Sequence, residues 1–237
     1  MKDFIKNKFI YSSSNRAKHI PIVYANVFNH FESLAKLWKS RGIDDYKLYR
    51  NYFEFGVWNG YSFIQAKKAL DLCVGSNIAD KWNFFGFDSF EGLPKPKSNK
   101  DKHPYAGEGA FKSEGEQYVY EELLRNGFKR NQFTLIKGFF DKVLNDDLYE
   151  KLKVEKVSFV NLDIDYYSST YEALNWIKPL LFSGSILYFD DILFYDGNPN
   201  KGQLLAIKEF NEQSKNYGLY RAYEFDPNGR TFTFWQD

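Results

Sequence analysis

The sequence predicts an α/β domain in which parallel strands give way to a C-terminal antiparallel hairpin. Three observations carry that reading. First, Val157–Ile192 (VSFVNLDIDYYSSTYEALNWIKPLLFSGSILYFDDI) reads as a buried strand, a helix and a second buried strand. A strand, a crossover and a strand within about thirty residues form a βαβ unit, which makes the two strands parallel. Second, apolar runs alternate with stretches of helical spacing from residue 51 onward. Third, Leu219–Phe225 and Arg230–Trp235 alternate in polarity around Asp226-Pro227-Asn228-Gly229, which is a hairpin signal.

Taken in order, residues 1–50 precede the first convincing strand. Within them Val23–Arg41 places Val27, Phe31, Leu34, Leu37 and Trp38 at amphipathic helix spacing. Residues 1–50 are thus expected as an N-terminal helical lid or dimer segment. Tyr52–Val57 is the first strand, and a helix follows over Ser62–Cys73. Between them Glu54, Gly56 and Gly60 set an acid and two glycines at a strand-to-helix turn. Glycine lets backbone approach a ligand closely and tolerates positive φ. The turn is not the dinucleotide fingerprint, because the middle glycine of G-x-G-x-x-G is missing.

Trp82–Phe87 is the second strand and ends at Asp88-Ser89. An acid there, after a glycine turn on the first strand, can accept hydrogen bonds from ribose hydroxyls. It could instead only cap a short helix at Phe90. Residues 92–111 (GLPKPKSNKDKHPYAGEGAF) form a long loop with little periodicity, expected as a substrate-side flap. Tyr118–Asn126 is a short helix and Phe133–Lys137 the third strand. The turn Gly138-Phe139-Phe140 could seat an adenine against an aromatic face. Within the central unit, Val157–Leu162 and Ser185–Phe189 are the strands. The helix Ser168–Leu181 carries Tyr171, Leu174, Ile177 and Leu181 on one face and stops at Ser183-Gly184. Gln203–Ser214 is the last helix, with Leu204, Leu205, Ile207 and Phe210 turned inward. No internal repeat or interdomain linker interrupts the chain.

The chain has 237 residues, 43% hydrophobic and 27% charged, which suits one globular domain. Aromatics reach 20%, enough to serve both a core and a stacking surface. A net charge of +1 with dispersed Lys and Arg argues against a nucleic-acid partner. The lone Cys73 excludes an intrachain disulfide and fits a reducing compartment. No signal peptide and no membrane span is legible, so the expected location is cytoplasmic. His19, His30 and His103 are isolated from one another, and only His103, in the flap, is a candidate substrate contact.

The acids at the strand ends are the chemical signal. In an open parallel sheet, ligands bind beyond the carboxyl ends of the strands. Asp163, Asp190 and Asp191 stand at two such ends, and neighbouring strands lie about 4.8 Å apart. Three clustered carboxylates repel one another unless they are paired. A hard divalent cation such as Mg²⁺ takes oxygen ligands and resolves that repulsion. The plainer alternative has Asp165 capping the next helix and Asp190-Asp191 opening a solvated loop.

With the glycine turn, FDSFEGLP (87–94), DIDYYSSTYEAL (163–174), FDD (189–191) and GQLLAIKEF (202–210), the chain resembles the macrocin-type (TylF/MycF/NovP-like) O-methyltransferases. The resemblance spans roughly 51–210. It implies a class I, S-adenosylmethionine-dependent and Mg²⁺-dependent enzyme with a Rossmann-like, seven-stranded mixed sheet over residues 51–237. By that resemblance Glu54, Gly56, Gly60 and Ser62 line the methionine and ribose end of S-adenosylmethionine. Asp88 and Ser89 hold the ribose hydroxyls, and Gly138 and Phe139 border the adenine. Asp163, Asp190 and Asp191 match the metal ligands, and Asp165 the general base. Tyr61 and Ile164 depart from glycines that members often carry beside these ligands. The implied acceptor is a hydroxyl, on a sugar of a polysaccharide or of a glycosylated natural product, and a homodimer stays open. The rival reading is a metal-dependent nucleotide-sugar glycosyltransferase using Asp163-Ile164-Asp165, since those enzymes also place D-x-D after an apolar strand.

Overall fold

Strands buried on both faces must be apolar nearly throughout; four short segments of this chain come close to that demand, and a fifth, partly exposed one lies at the sheet edge. They are β1 (Asn51–Phe55), β2 (Asn83–Asp88), β3 (Phe133–Lys137), β4 (Phe159–Leu162) and β5 (Ile186–Phe189), all parallel. The antiparallel pair β6 (Tyr217–Tyr223) and β7 (Arg230–Gln236) completes a seven-stranded sheet in the order β3-β2-β1-β4-β5-β7-β6. This is a computed structural model that describes residues 24–25, 27–29, 31–33, 35–37, 39–40, 42, 49–223 and 229–237, with backbone alone at 221–223.

Parallel neighbours need crossovers, and helices supply them. An N-terminal helix, α1, covers the described residues between 24 and 40. Next come α2 (Tyr61–Val74) with the short α3 (Ser76–Ala79), then α4 (Glu116–Arg125), α5 (Phe140–Val143) and α6 (Asp146–Leu152). Finally α7 (Tyr167–Ile177) joins β4 to β5, and α8 (Gly202–Glu212) joins β5 to β6. The strand order reverses between β1 and β4, so their carboxyl ends flank the switch point where such sheets bind ligands. No helix among the described residues is long and apolar enough to cross a membrane.

Side chains alternate across the sheet. Tyr52 faces one core cluster while Phe53 and Phe55 face the other. The first cluster is largely roofed by α1, through Tyr24, Val27, Phe28, Phe31 and Ala35. Phe28 and Phe31 meet Trp82 edge-on at 4.9 and 5.1 Å. The inward face therefore differs from the expected one, since Leu37 is 43% exposed and Tyr24 and Phe28 take the buried positions. Leu34, Trp38, His19 and His30 lie outside the described residues.

Two boundaries shift as well, and three short helices are added. β1 stops at Phe55 because Gly56 turns left-handed at φ +85°. The helix expected to reach Leu181 ends at Ile177 and tightens into a 3-10 turn over Lys178–Leu180, where Pro179 has no N–H to continue the ladder. α3, α5 and α6 were not expected; each has seven residues or fewer, too short for two turns of apolar periodicity.

One polar contact inside this core anchors α1. The Glu32 carboxylate accepts both the Arg50 Nε and Nη2 donors at 2.8 and 2.9 Å, and the Trp82 indole N–H at 3.0 Å. All these groups are buried, so deleting one partner strands the other charge. Glu32→Ala is expected to cost about 3–5 kcal/mol in urea unfolding. A loss under about 1 kcal/mol would mean that water reaches Arg50.

Candidate active site

The site begins with a backbone contact. A β-carbon on Gly56 would lie 1.8 Å from the Asp163 carbonyl oxygen, so only glycine lets β1 and β4 close up at their carboxyl ends. Gly56 N–H donates to the Phe87 carbonyl at 2.9 Å, tying the same point to β2. Beyond it, the Val57 and Trp58 N–H groups donate to Asp88 Oδ2 at 2.7 and 2.8 Å, and Phe90 N–H donates to Asp88 Oδ1 at 2.6 Å. Asp88 thus clamps the glycine turn and caps the turn after β2, with no helix at Phe90. Burial raises its carboxyl while these three donors oppose the rise.

Gly60, at φ +81°, starts α2 and donates to the Val57 carbonyl at 2.8 Å. Ser62 Oγ then donates to Glu54 Oε1 at 2.7 Å, and Tyr52 Oη donates to the other oxygen. Ser89 Oγ donates to the Gly92 carbonyl at 2.9 Å and accepts from Glu91 N–H at 3.0 Å, so it shapes the turn after β2. Gly138 N–H donates to the Asp88 carbonyl at 2.9 Å, which sets Gly138 and Phe139 beside Asp88. Glu54, Gly56, Gly60, Ser62, Asp88, Ser89, Gly138 and Phe139 therefore fall along the carboxyl ends of β1, β2 and β3.

On the other side of the switch point, Asp163, Asp190 and Asp191 each offer a carboxylate oxygen, and these atoms lie within 4.8 Å of one another. Their placement follows from the register, in which Leu162 pairs with Phe189 at the last rung of β4 and β5. Tyr188 Oη donates to Asp190 Oδ1 at 3.0 Å, and Asp165 N–H donates to Asp191 Oδ2 at 2.9 Å. The donor set is all carboxylate oxygen, the ligand type that Mg²⁺ takes, so the residues fit that ion. Asp165 stands outside the trio, at φ +52° and 8% exposed. Its charge reaches two tyrosines. Burial first, then Asp165 and Asp101, push Tyr166 up to about 12, and Tyr195 is raised as well.

Residues 92–111 are pinned along this edge. Asp101, fully buried, accepts Ser168 N–H at 2.9 Å with one oxygen and Lys97 N–H at 3.0 Å with the other. Its carbonyl accepts Tyr195 Oη at 2.7 Å. His103 Nδ1 accepts Tyr105 N–H at 3.2 Å, so its Nε2 donates to the Phe194 carbonyl at 2.9 Å. The ring stacks on Phe194 at 4.0 Å, and His103 is thereby committed to holding the flap.

The family model for Macrocin-O-methyltransferase (TylF) matches residues 41–216. The chain belongs to that family. As a macrocin-type enzyme it is an S-adenosylmethionine-dependent O-methyltransferase. Solved structures agree on the fold. The calicheamicin methyltransferase CalS11 matches with a TM-score of 0.64 at 23% identity, over 86% of this chain and 78% of that one. The O-methyltransferase NovP matches with a TM-score of 0.63 at 17% identity, over 89% and 78%. TomG from Streptomyces achromogenes, solved with S-adenosylmethionine, matches with a TM-score of 0.52 at 13% identity, over 89% and 79%. No curated protein sequence matches the chain.

Family membership disfavours the glycosyltransferase reading, and the geometry of this macrocin-type enzyme agrees. Asp163 clusters with Asp190 and Asp191 rather than with Asp165, its neighbour in the D-x-D. Sequence reasoning missed Tyr52, Tyr188 and Gln203, which hold site residues in place, and Asp101, which holds the flap. Only Gln203 had a signal, its position beside the glycine that opens α8.

Glu54 gives the enzyme a pH dependence. Burial pushes its carboxyl from the ordinary 4.5 to about 7, opposed by hydrogen bonds from Ser62, Tyr52 and Asn161. Glu54 therefore holds its proton to higher pH in the folded state than in the unfolded chain. Its stabilising contribution is complete below about 4.5 and is lost as pH rises through about 7. In calorimetric melts the unfolding midpoint should fall across that window, and Glu54→Gln should flatten the fall. An equal slope in the variant would assign it to another group.

Proposed function

We propose that this O-methyltransferase moves the methyl group of S-adenosylmethionine onto a sugar hydroxyl, with Mg²⁺ held by Asp163, Asp190 and Asp191 and with Asp165 as the general base. The observation that carries the reading is the trio of carboxylate oxygens within 4.8 Å, one backbone contact away from the glycine turn. A sugar acceptor is favoured because CalS11 is described as a TDP-rhamnose 3'-O-methyltransferase. The lone Cys73 and the even charge suit a cytoplasmic enzyme acting on a soluble acceptor or its activated precursor.

The notch would take the donor in the following way. Gly56 and Gly60 leave room for the methionine and ribose end against bare backbone, beside Glu54 and Ser62. Asp88 Oδ1 accepts one backbone donor, so a second lone pair remains for a ribose hydroxyl. Ser89 stands next to it, and Gly138 with Phe139 would border the adenine. Holding both reactants in line converts a two-body encounter into a one-body step.

Transfer then needs a better nucleophile, because an alcohol that keeps its proton attacks poorly. When bound, Mg²⁺ would supply Lewis-acid charge that lowers the pKa of the acceptor hydroxyl. Asp165 takes the hydroxyl proton on a carboxylate oxygen. The acceptor oxygen forms its bond to the methyl carbon as the carbon–sulfur bond breaks, leaving S-adenosylhomocysteine. Tyr188 holds Asp190 through Oδ1, and the backbone of Asp165 holds Asp191 through Oδ2, so the carboxylates present fixed faces.

Asp165→Asn should lower kcat by about 10²–10⁴-fold while calorimetric affinity for S-adenosylmethionine is retained. Turnover equal to the parent enzyme would remove Asp165 from the base role. Methyl transfer to nucleotide-activated sugars should vanish in EDTA and return with added Mg²⁺. Full activity in EDTA would remove the ion from the reaction while leaving the methyl donor assigned.

A further inference from the structure

The backbone ladder between β4 and β5 ends just where the carboxylates begin. Asp190 N–H donates to the Leu162 carbonyl at 3.1 Å, which is the last rung supplied by the strands. One residue further, Asp191 N–H has no strand carbonyl to meet. It donates instead to Oε1 of Gln203 at 2.9 Å, and Gln203 Nε2 donates to the Leu162 carbonyl at 2.9 Å. Gln203 is 1% exposed. Its amide thus adds one rung to the ladder, joining the residue before Asp163 to Asp191.

We propose that Gln203 is the positioning residue of the carboxylate trio, its amide cross-linking the ends of β4 and β5 so that Asp163 and Asp190-Asp191 stand at metal-binding separation. The proposal rests on the reading of that trio as a divalent-cation site. Asp191 passes the constraint on, because its Oδ2 accepts the N–H of Asp165 at 2.9 Å and so holds the loop that carries the proposed base. One side chain from α8 therefore sets both the trio and Asp165. Gly202 gives it that reach: at φ +53°, a β-carbon there would lie 2.4 Å from the Tyr195 ring and 3.4 Å from the Asp165 carbonyl.

The chemistry selects an amide. The two backbone groups need one acceptor and one donor, and a glutamine supplies both without charge. A glutamate would lose the donor and bring a fourth negative group to the trio. An apolar residue would leave the Asp191 N–H without its acceptor and the Leu162 carbonyl with the Asp190 N–H alone.

Calorimetric titration with Mg²⁺ or Mn²⁺ tests this on the full chain. Gln203→Met, of similar length, should weaken divalent-ion affinity by about 10–100-fold while S-adenosylmethionine affinity is unchanged. Gln132→Met is the control. Gln132 is also buried and donates to the Ala79 carbonyl at 3.1 Å, but it sits at the entrance of β3, away from the acids. The control should lose thermal stability in EDTA and keep its ion affinity. If Gln203→Met does the same, the amide is only structural and the proposal is overturned. If the Met variant does not fold, Gln203→Asn carries the same comparison, since its shorter amide reaches one backbone group but not both. A parent chain that binds S-adenosylmethionine but no divalent ion would sink the metal reading and this proposal together. A parent that binds the ion as tightly as either Gln203 variant sinks this proposal alone.

Discussion

The contact between Gly56 and the carbonyl of Asp163 is the constraint on which the site depends. Two parallel strands can bring their carboxyl ends together only if neither places a side chain in the gap, and a β-carbon at 56 would overlap Asp163. That single missing atom puts the glycine turn and the acid trio on opposite sides of one backbone contact. A methyl transfer needs that closeness, because misplacement of the reacting groups by about 1 Å can cost 10²-fold in rate. The sheet order makes the contact possible, since β1 and β4 become neighbours only at the switch point.

Around this contact the backbone is held in conformations that side-chain-bearing residues avoid. Trp58, Phe90 and Asp165 all have positive φ. A left-handed residue other than glycine costs roughly 1–2 kcal/mol, so each needs compensation. The compensation is the same in all three. Trp58 and Phe90 donate their N–H groups to Asp88, and Asp165 donates to Asp191. A charge-assisted hydrogen bond contributes about 1.5–3 kcal/mol, enough to offset the strain. Carboxylates at strand ends thus do two tasks in this fold, shaping strained turns and building the acid trio. Asp191 does both within one side chain.

This double use explains what could be read in the sequence. β1, β2, β4 and β5 were legible because strands buried on both faces must be nearly continuous apolar runs, and the acids were legible because they end those runs. Sheet direction followed from the crossover, which fixed Asp163 and Asp190 on one edge before any coordinate was known. Two residues that hold the site and the flap, Asp101 and Gln203, were not legible because their partners are distant in sequence. Asp101 meets Ser168 across 67 residues, and Gln203 meets Leu162 across 41. No local period or propensity marks such pairs. The inward face of α1 was legible only in part, since Val27 and Phe31 are buried as expected and Leu37 is not. Leu37 and Phe31 have equal hydrophobic claims, and only the position of Trp82 on the sheet decides for Tyr24, Phe28 and Phe31.

Residues 92–111 extend the same logic to the start of α7. α7 begins two residues after Asp165, and its first turn has N–H groups with no partner within the helix. Its own N-cap position is Tyr166, which supplies no capping side chain. Asp101 fills that role from 67 residues away, its carboxylate accepting the Ser168 N–H with one oxygen while the other holds the flap by accepting the Lys97 N–H. Negative charge is favoured at a helix start, so the flap is docked by the electrostatics of the helix that follows Asp165. Flap position and the position of Asp165 are therefore joined through α7. An acceptor that displaced the flap would disturb the cap, the start of α7 and the loop bearing Asp165 together. The flap and the loop that carries Asp165 are in this way one mechanical unit.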